Sequence, residues 1–248
     1  MNLYVLAACP FCHRVLLAML WAKRSDINVV YVNDLKDENG HLTLDDEPLF
    51  GAKTMPELYE KVGQNGSSVP LLLDKDGTFV SNSSKQMTMD LLNQEPQLWA
   101  GLDNRQMSEV LDGIHDKLNR AVYGVIQAAD QDEYERKAGA IFAYLDNLDG
   151  KLATQKFVLG DEPSLADLFV LPTLMRFDKV YHRIFGCSQK RLADYAHLSA
   201  YLNRMSGIAG VAGTFDGHKT LTHYYLSTFA VHGVQTRLHP LPFLPVFG

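Results

Sequence analysis

The apolar pattern changes character near residue 94, and that change bounds the folds open to this chain. Before it, short extended runs alternate with helical stretches. After it, apolar spacing is helical almost to the end. Residues 3–8 read as a buried strand, 10–24 as a helix and 27–33 as a second strand. That order predicts parallel pairing with a right-handed crossover. Residues 34–53 are polar and irregular, a surface excursion of a length that often carries function. A short helix, 55–62, leads into a hairpin formed by 69–73, the turn Asp74-Lys75-Asp76-Gly77 and 78–80. Ser81-Asn82-Ser83-Ser84 offer capping side chains for a helix that runs to Asn93.

The second half predicts helices over 107–128, 132–154, 168–181, 192–205 and roughly 207–220. Ser164-Leu165-Ala166-Asp167 is a capping box with Asp in place of Glu. The tail from Thr222 is mixed, and its proline-spaced end, 240–245, reads as extended. The chain thus divides into a βαβ-ββα domain (1–93), a linker (94–104) and an all-α domain with an extended tail (105–248). Its class is α+β with two domains.

The junction between the first strand and first helix carries Cys9-Pro10-Phe11-Cys12-His13-Arg14. A cysteine there sits at a helix N-terminus, where unpaired N–H groups and the helix dipole favour thiolate over thiol. Pro10 suits the first helical position, because its missing N–H would have no partner anyway. A reactive thiolate implies attack on an electrophile or a disulfide, and Cys9 is the candidate nucleophile. Cys12 admits two readings: a resolving thiol one turn along the same face, or a small inward-packed side chain. His13 and Arg14 either raise the local positive potential or are solvated or capping groups. Cys187 reads as structural.

Three cysteines in 248 residues make no disulfide framework, which suggests a reducing compartment. A net charge of −6 without a basic cluster argues against a nucleic-acid binder. One Cys-x-x-Cys pair without a second ligand pair argues against zinc, so no metal is expected. The start lacks a basic signal region, and the longest apolar run, 15–22, is too short to span a bilayer. A cytoplasmic protein without membrane partners is expected.

The order of elements resembles a thioredoxin-like domain followed by the helical half of cytosolic glutathione transferases. Within that superfamily, Cys-Pro-Phe-Cys is similar to the motifs of cysteine-type classes and glutaredoxins. Several blocks resemble the Xi class, the glutathionyl-hydroquinone reductases. They are Glu57-Leu58-Tyr59-Glu60-Lys61 ahead of Val69-Pro70, Asn119-Arg120-Ala121-Val122-Tyr123, Arg176-Phe177-Asp178-Lys179-Val180-Tyr181, Asp194-Tyr195 and Thr222-His223-Tyr224-Tyr225. Departures are also visible. Phe11 and Cys12 stand where the family has Trp and Ala, and Ser83-Ser84 stand where it has Glu-Ser. With the catalytic strand starting at residue 3 the family's N-terminal extension is not expected, and its Trp-bearing segment before the second helix has Phe50 as the nearest aromatic.

The resemblance implies glutathione as co-substrate and an aromatic, quinone-like conjugate as substrate. Cys9 would attack the glutathione sulfur of that conjugate, and a second glutathione would resolve the mixed disulfide. Phe11, Val69, Pro70, Ser83 and Ser84 would line the glutathione site, with Val69–Pro70 in the superfamily's cis-proline position. Asp90 or a partner subunit would replace the absent Glu. Tyr123, Tyr224 and Tyr225 would meet the substrate, or else serve as aromatic core. Arg176 and Asp178 read as a structural pair. Homodimerisation is the superfamily's habit. Two other functions stay open: a glutaredoxin-like thioltransferase or dehydroascorbate reductase, and a chloride-channel-like binding protein with 238–248 as a docking segment.

Overall fold

The computed structural model describes residues 1–240 and 244. Two units emerge, one of residues 1–91 with the described residues from Thr214 onward, the other Leu92–Gly213. The sequence reading assigns everything after residue 105 to the helical half. The C-terminal segment instead gathers with the N-terminal unit.

In the N-terminal unit, β1 (Asn2–Val5), α1 (Pro10–Trp21), β2 (Asn28–Tyr31), α2 (Met55–Lys61), β3 (Leu71–Leu73), β4 (Phe79–Ser81) and α3 (Ser84–Leu91) follow the expected order. The sheet order is β2-β1-β3-β4. β1 runs parallel to β2, pairing Leu3 with Val29, and antiparallel to β3, pairing Leu3 with Leu72. This is the thioredoxin-like arrangement. α1 places Cys12, Val15 and Met19 on one face at helical spacing, and they join Leu3, Val5, Ile27 and Met87 in the core. Full burial of each large aliphatic side chain contributes about 1.5–3 kcal/mol.

α1 ends three residues before the expected Arg24. Lys23 takes a left-handed conformation (φ 51°), and its N–H bonds the Leu20 carbonyl at 3.2 Å while that of Arg24 bonds Met19 at 2.9 Å. This pair of bonds closes a helix C-terminus, with Lys in the place usually held by glycine.

The excursion after β2 is ordered by one buried acid. The Glu47 carboxylate accepts from the Tyr4 hydroxyl and from the N–H groups of Leu49 (3.0 Å), Phe50 (2.6 Å) and Ala52 (3.4 Å). Those donors hold its pKa below the usual carboxylate value although burial opposes them.

The C-terminal part of this unit departs from expectation. The helix predicted over 207–220 is instead a short 3-10 turn (Ala212–Thr214) followed by α10 (Gly217–Leu226), which Asp216 caps through the Lys219 N–H at 2.9 Å. A hairpin of β5 (Thr228–Val231) and β6 (Val234–Arg237) follows. His232 (φ 49°) and Gly233 (φ 77°) form its two-residue turn. Two positive φ values match the twist of paired strands. The extended end predicted for 240–245 and the docking role for 238–248 lie outside the described residues, apart from 238–240 and 244.

The helical unit holds α4 (Asn104–Ile114), α5 (Ala121–Val125), α6 (Gln131–Leu152), α7 (Leu165–Arg176), α8 (His182–Ile184) and α9 (Ala196–Ser206). α7 is its centre and is buried along almost its whole length. The single helix expected over 107–128 is broken by a π-helical turn at His115–Asn119. There the buried Asn119 amide donates to the Phe169 carbonyl and Thr173 hydroxyl on α7, both at 2.8 Å. A second π-helical turn, Phe177–Tyr181, interrupts the helix expected over 168–181.

The Ser164–Asp167 box is present. The Asp167 carboxylate accepts from the Val158 N–H (3.0 Å), the Ser164 N–H and hydroxyl (both 2.8 Å) and the Tyr201 hydroxyl (2.9 Å). The expected Arg176–Asp178 pair does not form. Arg176 donates to the Pro172 carbonyl at 2.8 Å, whereas Asp178 accepts from the N–H groups of Leu192 (2.5 Å) and Ala193 (3.2 Å). Among the described residues no helix is long and apolar enough to cross a membrane.

Candidate active site

Strand β1 ends in a tight turn whose closing bond runs from the Cys9 N–H to the Leu6 carbonyl at 3.0 Å. Cys9 then caps α1 from an extended conformation (φ −75°, ψ 123°), and Pro10 enters the first turn. The Cys9 sulfur lies 3.4 Å from the Cys12 N–H, which donates to it. The sulfur is therefore aimed at the positive end of the helix, where an anion is favoured. It is half-buried. On its other side stands the Val69 carbonyl at 4.0 Å. The Val69–Pro70 peptide is cis, the form named for that position above. Cys9 and Val69, 60 residues apart in sequence, thus meet at one spot.

Cys12 is fully buried and belongs to the apolar core beneath α1. No disulfide joins any of the three cysteines. Cys187 is also fully buried, and burial pushes its thiol up to about 12. His13 and Arg14, for which solvated roles stood open, are each only 1% exposed. The His13 ring bonds the Thr214 hydroxyl at 2.8 Å and stacks on Phe215 at 5.8 Å. The Arg14 guanidinium lies 5.0 Å from the centre of the Phe11 ring. His13 thus ties α1 to the C-terminal segment of the same unit, whereas the Arg14–Phe11 contact lies within α1.

Ser83 acts as the cap of α3. Its hydroxyl accepts from the Gln86 N–H at 3.2 Å, and its own N–H donates to Ser81 at 3.1 Å. Ser83 is exposed, and Ser84 opens the helix. Asp90, offered above in place of the family's Glu, is held by the Gln86 amide at 2.7 Å.

Tyr224 and Tyr225 lie on α10 in the same unit as Cys9 and are almost wholly buried. Tyr224 stacks on Phe229 of β5, with planes 3° apart and centroids at 5.7 Å. Tyr225 meets His239 at 4.8 Å. Tyr123 belongs to the helical unit, where it sits edge-on to Tyr181 (5.9 Å) and Phe185 (5.2 Å).

Three residues given no role above join Tyr224. His223 donates from Nδ1 to the Asp34 carbonyl at 2.7 Å and stands edge-on to Phe229 at 5.3 Å. Burial lowers its pKa to about 4, the Asp34 bond opposing and the Lys36 charge adding to that. It is neutral at pH 7. The Lys36 ammonium lies over the Phe229 ring at 4.8 Å. Lys36 lies in the polar excursion and Phe229 in a tail read only as mixed, so no local pattern could have joined them. Among the described residues, no cluster of His, Cys, Asp and Glu could hold a metal.

Residues 131–204 match the family model for the glutathione S-transferase C-terminal domain. A glutathionyl-hydroquinone reductase of Escherichia coli (strain K12) is 30% identical over 91% of this chain and 74% of its own. Its solved glutathione-bound structure superposes with a TM-score of 0.81 at 29% identity, covering 90% of this chain and 79% of that one. A glutathionyl-hydroquinone reductase of Sphingobium chlorophenolicum is 29% identical over 99% of this chain and 82% of that protein. A Xi-class glutathione transferase from Natrialba magadii gives a TM-score of 0.86 at 25% identity, covering 99% of this chain and 78% of that one. With a thiol at the start of α1 in a thioredoxin-like unit and relatives of this kind along nearly its whole length, the chain belongs to the Xi-class, glutathionyl-hydroquinone reductase family of the glutathione transferase superfamily.

Proposed function

We propose that this enzyme uses glutathione to reduce glutathionyl-hydroquinones through a Cys9–glutathione mixed disulfide. The observation that carries the proposal is the Cys9 sulfur capping α1, with the Cys12 N–H donating to it at 3.4 Å. A sulfur so placed is stabilised as thiolate and is only half-buried, so a ligand can reach it. The thiolate attacks the sulfur of the conjugate, forming the Cys9–S–S–glutathione bond. The carbon–sulfur bond breaks, its electron pair stays with the ring, and the ring carbon takes up a proton. Free hydroquinone leaves. The thiolate of a second glutathione attacks the mixed disulfide, releasing oxidised glutathione and restoring Cys9. Atoms and electrons balance with glutathione as the sole reductant.

Glutathione would lie along Val69–Pro70, its cysteinyl part facing the Val69 backbone and its glutamyl carboxylate at the start of α3 near Ser83 and Ser84. Phe11 would flank the sulfur. Tyr224 would donate a hydrogen bond to a hydroquinone oxygen, and Tyr225 would support Tyr224. A dimer would follow the superfamily's habit. The burial of Cys12 in the apolar core supports a one-cysteine cycle over a dithiol, glutaredoxin-like one. The test is turnover of a glutathionyl-hydroquinone with glutathione, read as free hydroquinone by chromatography. Cys9→Ala is expected to lower it more than 1,000-fold, about 4 kcal/mol of transition-state stabilisation. Undiminished turnover in that variant would overturn the scheme.

A further inference from the structure

We propose that Lys36, set against Phe229 and Tyr224, is the specificity-determining residue that receives an anionic group, a carboxylate or an ionised phenol, on the aromatic part of the substrate. This rests on the reading that Cys9 reduces aromatic glutathione conjugates, and it names which conjugates are preferred.

The first argument is a missing counter-charge among the described residues. Lys36 is half-buried, and burial pushes its pKa down with no carboxylate acting against that. Neither nearby aspartate is shown paired with it. Asp37 accepts from the N–H groups of Asn39 (3.0 Å) and His41 (2.7 Å). Burial raises the pKa of the Asp34 carboxyl, and the charges that act on it are those of Lys219, Asp216 and His218, not that of Lys36. The chain has 29 acidic residues against 23 basic ones, so acids are not scarce. A desolvated ammonium is costly without a partner, and a single aromatic face offsets only part of that cost. A ligand anion would supply the rest.

The second argument is the character of the surroundings. The ammonium lies over Phe229, and Phe229 is stacked on Tyr224 and edge-on to His223. Because His223 is neutral at pH 7, Lys36 is the one charged member of this cluster of four. A cation among rings suits an aromatic acid better than a peptide carboxylate. The residues assigned to glutathione, Val69, Pro70, Ser83 and Ser84, come from other elements.

The third argument is preorganisation. The Lys36 N–H bonds the Ser227 hydroxyl at 3.3 Å, and the Asp34 carbonyl is tied to His223. Gly40 has a φ of +80°, and a Cβ there would lie 2.7 Å from Gln235 Nε2, so loop and hairpin interlock. The backbone that carries Lys36 is therefore held in place before any ligand arrives.

The experiment compares two conjugates that differ by one ring carboxylate: glutathionyl-hydroquinone and its 2,5-dihydroxybenzoate counterpart. The ratio of their kcat/KM values is measured for the wild type, Lys36→Met and Lys36→Arg. The preference for the carboxylated conjugate should fall roughly 10- to 100-fold in Lys36→Met and be largely kept in Lys36→Arg. Calorimetric titration of 2,5-dihydroxybenzoate against hydroquinone, in the presence of glutathione, should show the same order without needing turnover. Equal losses on both conjugates, an unchanged ratio, or a rise confined to the KM for glutathione would overturn the assignment. A wild type that binds the acid selectively but turns over neither conjugate would sink the reductase reading and leave the anion subsite standing.

Discussion

Two helix starts in this protein solve the same electrical problem in opposite ways. At the start of α7, Asp167 is fully buried and accepts four hydrogen bonds within the protein. Burial pushes its carboxyl up while those bonds pull it down. Nothing is left over for a ligand, and the result is stability. At the start of α1 the cap is a half-buried thiol with a donor 3.4 Å away. A sulfur cap holds the backbone less strongly than an oxygen does, but it leaves a thiol where the helix dipole favours its anion, as the proposed cycle requires. One terminus spends its field on the fold, and the other keeps it for chemistry.

The comparison can be broken from either side. The largest effect is expected at α7. Asp167→Ala leaves the Val158 and Ser164 N–H groups and the Tyr201 hydroxyl buried without their acceptor, and should cost roughly 3–5 kcal/mol in urea unfolding. A loss below about 1 kcal/mol would show that the box is not what holds the helical unit together.

A pH effect comes next. His223 is buried neutral with a pKa of about 4, below the usual histidine value of 6.5. The unfolded chain therefore binds more protons between those values, and stability falls as pH drops from about 6.5 towards 4. The contribution is on the order of 3 kcal/mol. In His223→Gln the slope of unfolding free energy against pH over this window should flatten. An unchanged slope would mean that other groups carry it.

The smallest effect sharpens the reading of α1. Cys12→Ala removes a buried sulfur from the core and should cost about 1 kcal/mol, while Cys9-dependent turnover persists. Loss of turnover in this variant would instead make Cys12 a working thiol.

Much of the N-terminal unit was legible because its signals are local. A strand, a turn with Cys9-Pro10 and a helix with Cys12, Val15 and Met19 on one face follow from spacing alone. The capping box of α7 was legible for the same reason. Errors arose where a distant contact overrode local preference. The helix over 107–128 breaks where Asn119 reaches α7. The hairpin β5–β6 rests on a His232–Gly233 turn that carries little signal in short, exposed strands. His13 and Arg14 left a charge-supporting and a solvated or capping role open, and only packing shows them buried, with Phe215 and Thr214 against His13 and Phe11 against Arg14.

By itself, then, the sequence determined the class of fold and the placing of a cysteine at the start of the first helix, because periodicity and helix-terminus electrostatics act over a few residues. Only the tertiary structure decided that Cys12 is core, that Asp178 serves backbone N–H groups and that the C-terminal segment returns to the N-terminal unit. It alone set Lys36 against Phe229, 193 positions away in sequence. Burial and the pairing of charges are properties of the packed chain, and no window of neighbouring residues contains them.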